Sequence, residues 1–169
     1  PTPLEPVQLL FINLLTDSLP ALAIGMEPVD DSLLNQPPRD PKQGILTRSF
    51  LLRLAGYGAL IAVATMTAFY VGMQTGTQTA VTMAFGTLTL ARLFHGFNCR
   101  GRESVFKLGL TTNKWTIGAF GLGVALLAAV LFLPFMSKMF MVVPLSLAQT
   151  GMIFLLAFLP TVLIQIFKI

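Results

Sequence analysis

The sequence predicts an all-α integral membrane protein, a five-transmembrane-helix bundle with a broken first helix. Three observations carry that prediction. Only 11% of the 169 residues are charged and 54% are hydrophobic, against about 25% charged in an ordinary soluble domain. The apolar residues gather into five stretches, roughly 6–26, 49–72, 79–98, 114–133 and 146–167. Inside the first of these, a cluster of polar side chains is followed by a proline, Pro20.

Each stretch is long enough to cross the hydrocarbon of a bilayer, which takes about 20 residues at about 1.5 Å each. The first, 6–26, carries Asn13, Thr16, Asp17 and Ser18 near its middle. Pro20 has no N–H for the carbonyl of Thr16, and its ring clashes there, so the helix is expected to kink or unwind. A Pro-rich polar loop (27–48) leads to the second stretch, and a short Gln/Thr turn (73–78) joins the second to the third. A basic loop (99–113) precedes the fourth, whose Gly118, Gly121 and Gly123 permit close helix approach. A short loop around 134–144 precedes the fifth. Helices are the expected form throughout, because lipid cannot satisfy stray backbone groups. The short alternating segments of a β-barrel are not seen.

Charge sets the expected orientation. Arg39, Lys42, Arg48 and Arg53 lie in or beside the first loop, Arg100, Arg102, Lys107 and Lys114 in or beside the third, and Lys168 follows the last stretch. On the opposite side there is only Lys138. This asymmetry places both basic loops and the C-terminal end in the cytoplasm. The net charge of +4 does not suggest nucleic acid, because the basic residues cluster at the ends of apolar runs and form no stripe with aromatics. The expected partner is the lipid bilayer. Cys99, the only cysteine, rules out an internal disulfide and reads as a small filler at a helix end. The chain begins at Pro1 with no basic region ahead of a short apolar one. No signal peptide is read, and the chain is expected to be a piece of something longer.

Chemistry concentrates in the first stretch. An ionisable residue in mid-membrane costs about 2.5–3.5 kcal/mol by insertion scales, so it normally faces a cavity, a partner or an ion. In a regular helix Asn13, Thr16 and Asp17 stand at i, i+3 and i+4 and share one face. Amide, hydroxyl and carboxylate oxygens are the hard ligands that Ca²⁺ and Mg²⁺ select. Carbonyls freed by Pro20 are tolerated at that depth only where they line a cavity or bind something, an arrangement that recurs in transporters. Asn13 or Thr16 alone reads as interhelical glue. Asp17, with both neighbours and a proline break, reads as part of an ion site.

The run Pro6-Val7-Gln8-Leu9-Leu10-Phe11-Ile12-Asn13-Leu14-Leu15-Thr16-Asp17-Ser18-Leu19-Pro20-Ala21 resembles the sixth transmembrane helix of P-type Ca²⁺-ATPases. The stretch Asn35-Gln36-Pro37-Pro38-Arg39-Asp40-Pro41-Lys42 is similar to the family's cytoplasmic loop after that helix. The similarity runs in register to about residue 55. Later helices match in number and spacing, and through Arg92-Leu93-Phe94-His95-Gly96-Phe97-Asn98, a stretch typical of bacterial members. The resemblance implies that residues 1–169 are helices six to ten of such a pump, with Asn13, Thr16 and Asp17 as cation ligands. It implies Ca²⁺ as the transported ion, a multi-pass protein of the plasma membrane, and further ligands on helices outside this chain. Ser18 departs from the glycine of the animal reticulum pump, and serine still permits an unwound turn.

Two-site members of that family carry a glutamate ligand on the eighth helix. Its place falls on Arg92 with a one-residue gap in the following loop and on Ala91 without it, and neither is a carboxylate. A guanidinium cannot bind a cation and is expected to pair with a carboxylate such as Asp17, substituting for the second site's ion; snorkelling to headgroups is the alternative. His95, one turn from Arg92, reads as a packing or hydrogen-bonding group. Glu5 and Glu27 read as solvated interfacial carboxylates. The stiff, charged 37–42 loop faces the phosphorylation domain in the family, so a coupling role or an inert connector is expected there.

No Asp-Lys-Thr-Gly phosphorylation motif, P-loop or nucleotide-binding segment is present. No residue is therefore assigned a catalytic or cofactor-binding role. Mg²⁺ and ATP belong to cytoplasmic domains of the same pump. The rival readings are a secondary transporter or channel subunit that uses the broken helix without ATP, and a structural membrane anchor.

Overall fold

The computed structural model describes residues 2–28, 44, 46–101 and 104–168. Helices account for the regular structure of these residues, and no strand occurs among them. The loop motif at 35–42, with Arg39 and Lys42, and Arg102 of the second basic loop lie outside the described residues.

The first segment, Pro6–Gly25, is built from α1 (Pro6–Phe11), a π-helical turn (Ile12–Thr16) and α2 (Ser18–Gly25). Pro6 occupies the first turn, where its missing N–H is not needed. The long helix α3 (Arg48–Met73) starts where the Thr47 hydroxyl accepts from the Phe50 N–H at 3.3 Å, and α4 (Thr77–Asn98) follows after a tight turn. In the basic loop the chain forms a single turn, α5 (Val105–Leu108). The side chain of Asn113 then caps α6 (Lys114–Phe132), accepting from Trp115 N at 2.9 Å and Thr116 N at 3.2 Å. A further short helix, α7 (Pro134–Met139), fills the loop around 134–144. The last helix, α8 (Leu147–Ile166), opens on a capping box between Ser146 and Gln149.

Among the described residues, four helical segments are long and apolar enough to cross a membrane: Pro6–Gly25, Arg48–Met73, Lys114–Phe132 and Leu147–Ile166. The sequence reading had five. The one that falls short, the third stretch, is α4, which has the length, at 22 residues, but five threonines, Gln78, Arg92, His95 and Asn98 leave it too polar for that criterion.

The polarity of α4 is accommodated by burial. The helix packs against α3, α6, α8 and α2, and Val81, Met83, Ala84, Phe85, Leu90 and Leu93 are all buried along it. Its threonines are partly satisfied within the helix, as where the Thr89 hydroxyl donates to the Phe85 carbonyl at 2.7 Å. Aromatic edges tie the centre together. Phe11 meets Phe85 and Phe140 at centroid distances of 5.7 and 5.2 Å, and Phe94 meets Phe120, Phe154 and Phe158 at 5.0–5.7 Å. Of the three glycines in α6, Gly123 is the one that lets helices close up, since a Cβ there would lie 2.4 Å from Leu93 Cδ2. Gly118 and Gly121 have nothing within 4 Å. Cys99 stands at the end of α4 and is exposed, where the sequence reading made it a filler.

Candidate cation site

Gln8 fixes the start of the first segment. Its Oε1 accepts from the Glu5 N–H at 3.1 Å, and its Nε2 donates to the Phe140 carbonyl at 3.0 Å. The helix then widens. The Asp17 N–H donates to the Ile12 carbonyl at 2.9 Å, five residues back, and the Thr16 hydroxyl donates to the same carbonyl at 2.9 Å. Regular bonding resumes at Ala21, whose N–H donates to the Asp17 carbonyl at 3.2 Å. The proline is thus met by a π-helical turn immediately upstream, a common way for a helix to absorb a missing donor.

The wider turn changes which side chains share a face. Asn13 is exposed, Thr16 is fully buried with its hydroxyl on its own helix, and Asp17 is half-buried. In a regular helix the three share one face; here Thr16 is buried, whereas Asn13 and Asp17 keep exposure. Asp17 instead meets Arg92 of α4, with Nη2 2.5 Å from Oδ2 and side-chain exposures of 39% for the arginine and 29% for the aspartate. A charge-assisted contact this short is a direct ion pair between two mid-segment side chains. Arg92 therefore reaches a carboxylate in this chain. One turn further along α4, His95 packs edge-on against Tyr57 at 5.7 Å, with its Nδ1 3.3 Å from Asn98 Nδ2. No three His, Cys, Asp or Glu side chains come together among the described residues; Asp17 is the carboxylate at this candidate site.

The matched family is described as cation transporting ATPase, C-terminus, and the match covers residues 1–169. The chain belongs to this family of cation-transporting ATPases. A calcium-transporting ATPase of Bacillus subtilis (strain 168) is 35% identical over 97% of the chain and 19% of its own length. Calcium-transporting ATPase 1 of Bacillus cereus is 32% identical over 99% of the chain and 21% of its length, and that of Lactococcus lactis 38% over 82% and 16%. The chain thus spans about a fifth of the length of the curated relatives it matches. With four helices able to cross a bilayer, this C-terminal region of a cation-transporting ATPase is a multi-pass membrane protein.

Two polar clusters in this ATPase region were missed by sequence reasoning. Glu27, expected to be solvated, accepts from Arg100 Nε at 3.0 and 3.2 Å and from Nη2 at 2.7 Å, while Arg100 Nη1 donates to the Gly109 carbonyl at 2.8 Å. The Arg100 side chain is completely buried. Asn113 adds Nδ2 donations to Glu27 at 2.6 Å and to the Ala23 carbonyl at 2.9 Å. These hydrogen bonds from Arg100, followed by those from Asn113 and the arginine's charge, hold the Glu27 carboxyl below the usual range against the opposing effect of burial. The second cluster centres on Gln165, which accepts from Ser104 Oγ at 3.0 Å and Val105 N at 2.9 Å and donates to Asn98 Oδ1 at 2.5 Å. Lys168 donates to the carbonyls of Asn98 and Gly101. The one available signal was positional: polar residues sit directly after apolar stretches that the charge rule brings to the same side.

Proposed function

We propose that this chain is the membrane part of an ATP-driven cation pump that exports Ca²⁺, and that it supplies half of the ion site through Asn13, Thr16 and Asp17. The observation that carries the reading is Asp17: a carboxylate in the middle of an apolar segment, open on one side and paired on the other with Arg92. Exposed Asn13 and half-open Asp17 leave polar surface for helices beyond this chain to complete. The relatives named above are calcium-transporting ATPases, which favours Ca²⁺ as the cargo and an ATP-driven pump over a secondary transporter. In this reading the π turn is the closed form of the predicted break. Opening it releases the Thr16 hydroxyl toward Asp17 and frees carbonyls as further oxygen ligands.

Arg92 occupies the position of a second ion, leaving one Ca²⁺ per cycle. The helix α4 is the fifth crossing segment, its polar residues shielded by α3, α6 and α8. The five spans form one domain over residues 1–169 of a plasma-membrane pump, with the basic loops and the C-terminal end on the cytoplasmic side. ATP and Mg²⁺ act in the cytoplasmic domains of the same protein, and the remaining transmembrane helices complete the site. Exchanging Asp17→Asn in the full-length protein tests the reading. Loss of Ca²⁺-stimulated ATP hydrolysis with normal membrane insertion is expected; unchanged stimulation removes Asp17 from the mechanism.

A further inference from the structure

The first segment and α4 touch at three levels. Asp17 pairs with Arg92, Pro20 lies against Gly96, and Glu27 pairs with Arg100 just after the helix. The partners advance together along both stretches, so the two run parallel and the contacts form successive rungs. At the middle rung Gly96 lies against the Pro20 ring. A Cβ on Gly96 would stand 3.1 Å from Pro20 Cβ and 3.7 Å from its Cγ, so an added methyl makes the ring give by a few tenths of an ångström and a larger side chain pushes the two segments apart. Gly96 is one turn beyond Arg92, and Pro20 is one turn beyond Asp17.

The rungs differ in how firmly they hold. Asp17 and Arg92 are both partly exposed, and such a pair of mobile side chains is a weak constraint on two helices. Arg100 is wholly buried and grips Glu27 through two nitrogens, with Asn113 adding a third donor to the same carboxylate. A slip of one residue moves a helix by about 1.5 Å, enough to break a fork of this kind. The third rung therefore sets the register, the second sets the separation, and the first is placed by both.

We propose that Gly96 and the Glu27–Arg100 pair are positioning residues for the Asp17–Arg92 contact, fixing the register and spacing of the first segment on α4. The proposal rests on the reading of Asp17 and Arg92 as the paired groups of the ion site, and it adds the device that holds them together.

The test is intramolecular cross-linking in the full-length protein. In a cysteine-free background, Asp17→Cys and Arg92→Cys are joined by a short thiol-reactive linker, and the rate is read by mass spectrometry on the monodisperse fraction. Adding Glu27→Gln or Gly96→Val is expected to slow the reaction at least fivefold, and Gly96→Ala to slow it less, in order of side-chain size. Gly96→Ala asks its neighbour to give by only a few tenths of an ångström, so it keeps the test open should Gly96→Val fail to fold. Rates within twofold of the parent for Glu27→Gln and Gly96→Ala overturn the proposal.

A second arm separates it from the ion-site reading. With Asp17 and Arg92 intact, Glu27→Gln is expected to shift half-maximal Ca²⁺ activation several-fold, and to shift it less than twofold in an Arg92→Met background. Equal shifts in both backgrounds make Glu27 a general stabiliser and overturn the proposal. Slowed cross-linking with Ca²⁺ activation untouched by Arg92→Met upholds the register device and overturns the ion role of Arg92.

Discussion

Arg100→Met cuts the most buried charged contact in the described structure while preserving the apolar stem of the side chain. Removing one partner of a buried pair costs about 3–5 kcal/mol, mostly through the charge left behind. Here the loss is softened on the carboxylate's side, since Glu27 retains 21% side-chain exposure and the 2.6 Å donation from Asn113. The expected cost is therefore about 2–3 kcal/mol. Reversible unfolding of the full-length protein in mixed micelles, followed by helix content, measures it. The pH dependence supplies a second check. A carboxylate held below its ordinary value stabilises the fold above that value and loses the contribution as pH falls through its folded pKa. The gap between parent and Arg100→Met should thus close as the pH drops below the ordinary glutamate value of 4.5. A variant as stable as the parent at neutral pH, or a gap that widens in acid, refutes the assignment of Glu27 and Arg100 as a stabilising pair.

Two further predictions concern buried amides. Asn113→Ala removes the cap of α6 together with the donations to Ala23 and Glu27, for an expected loss of about 2–4 kcal/mol in the same unfolding assay; a loss below about 0.5 kcal/mol contradicts the geometry. Gln165→Leu keeps approximate volume but orphans the buried Val105 N–H and the Asn98 Oδ1. It should cost about 2–3 kcal/mol and speed hydrogen exchange at Val105, and an unchanged exchange rate speaks against the network.

Much of the helix layout was legible because its cause is local. Apolar runs and the polar loops between them are written in neighbouring residues. What could not be read depends on partners far along the chain. Glu27 looked like a surface carboxylate because Arg100, 73 residues away, gives no sign in the local sequence that it will be buried against it. The polarity of α4 was similarly ambiguous until the surrounding helices were seen to cover it. At the candidate site the sequence led to a break at Pro20, whereas the structure carries the segment on through a π turn over Ile12–Thr16. A regular-helix wheel puts Asn13, Thr16 and Asp17 on one face, and the burial of Thr16 beside exposed Asn13 could not be read from it. The pairing of Arg92 with Asp17 was readable from chemistry alone, since two opposite charges inside apolar segments have few other partners.

Equilibrium ⁴⁵Ca²⁺ binding to the purified full-length protein, normalised to the number of molecules that can be phosphorylated, decides whether Asp17 belongs to a cation site from which Arg92 displaces one ion. One Ca²⁺ per molecule, lost in Asp17→Asn, is the expected result; two Ca²⁺ per molecule with Arg92 in place would show that the arginine displaces none.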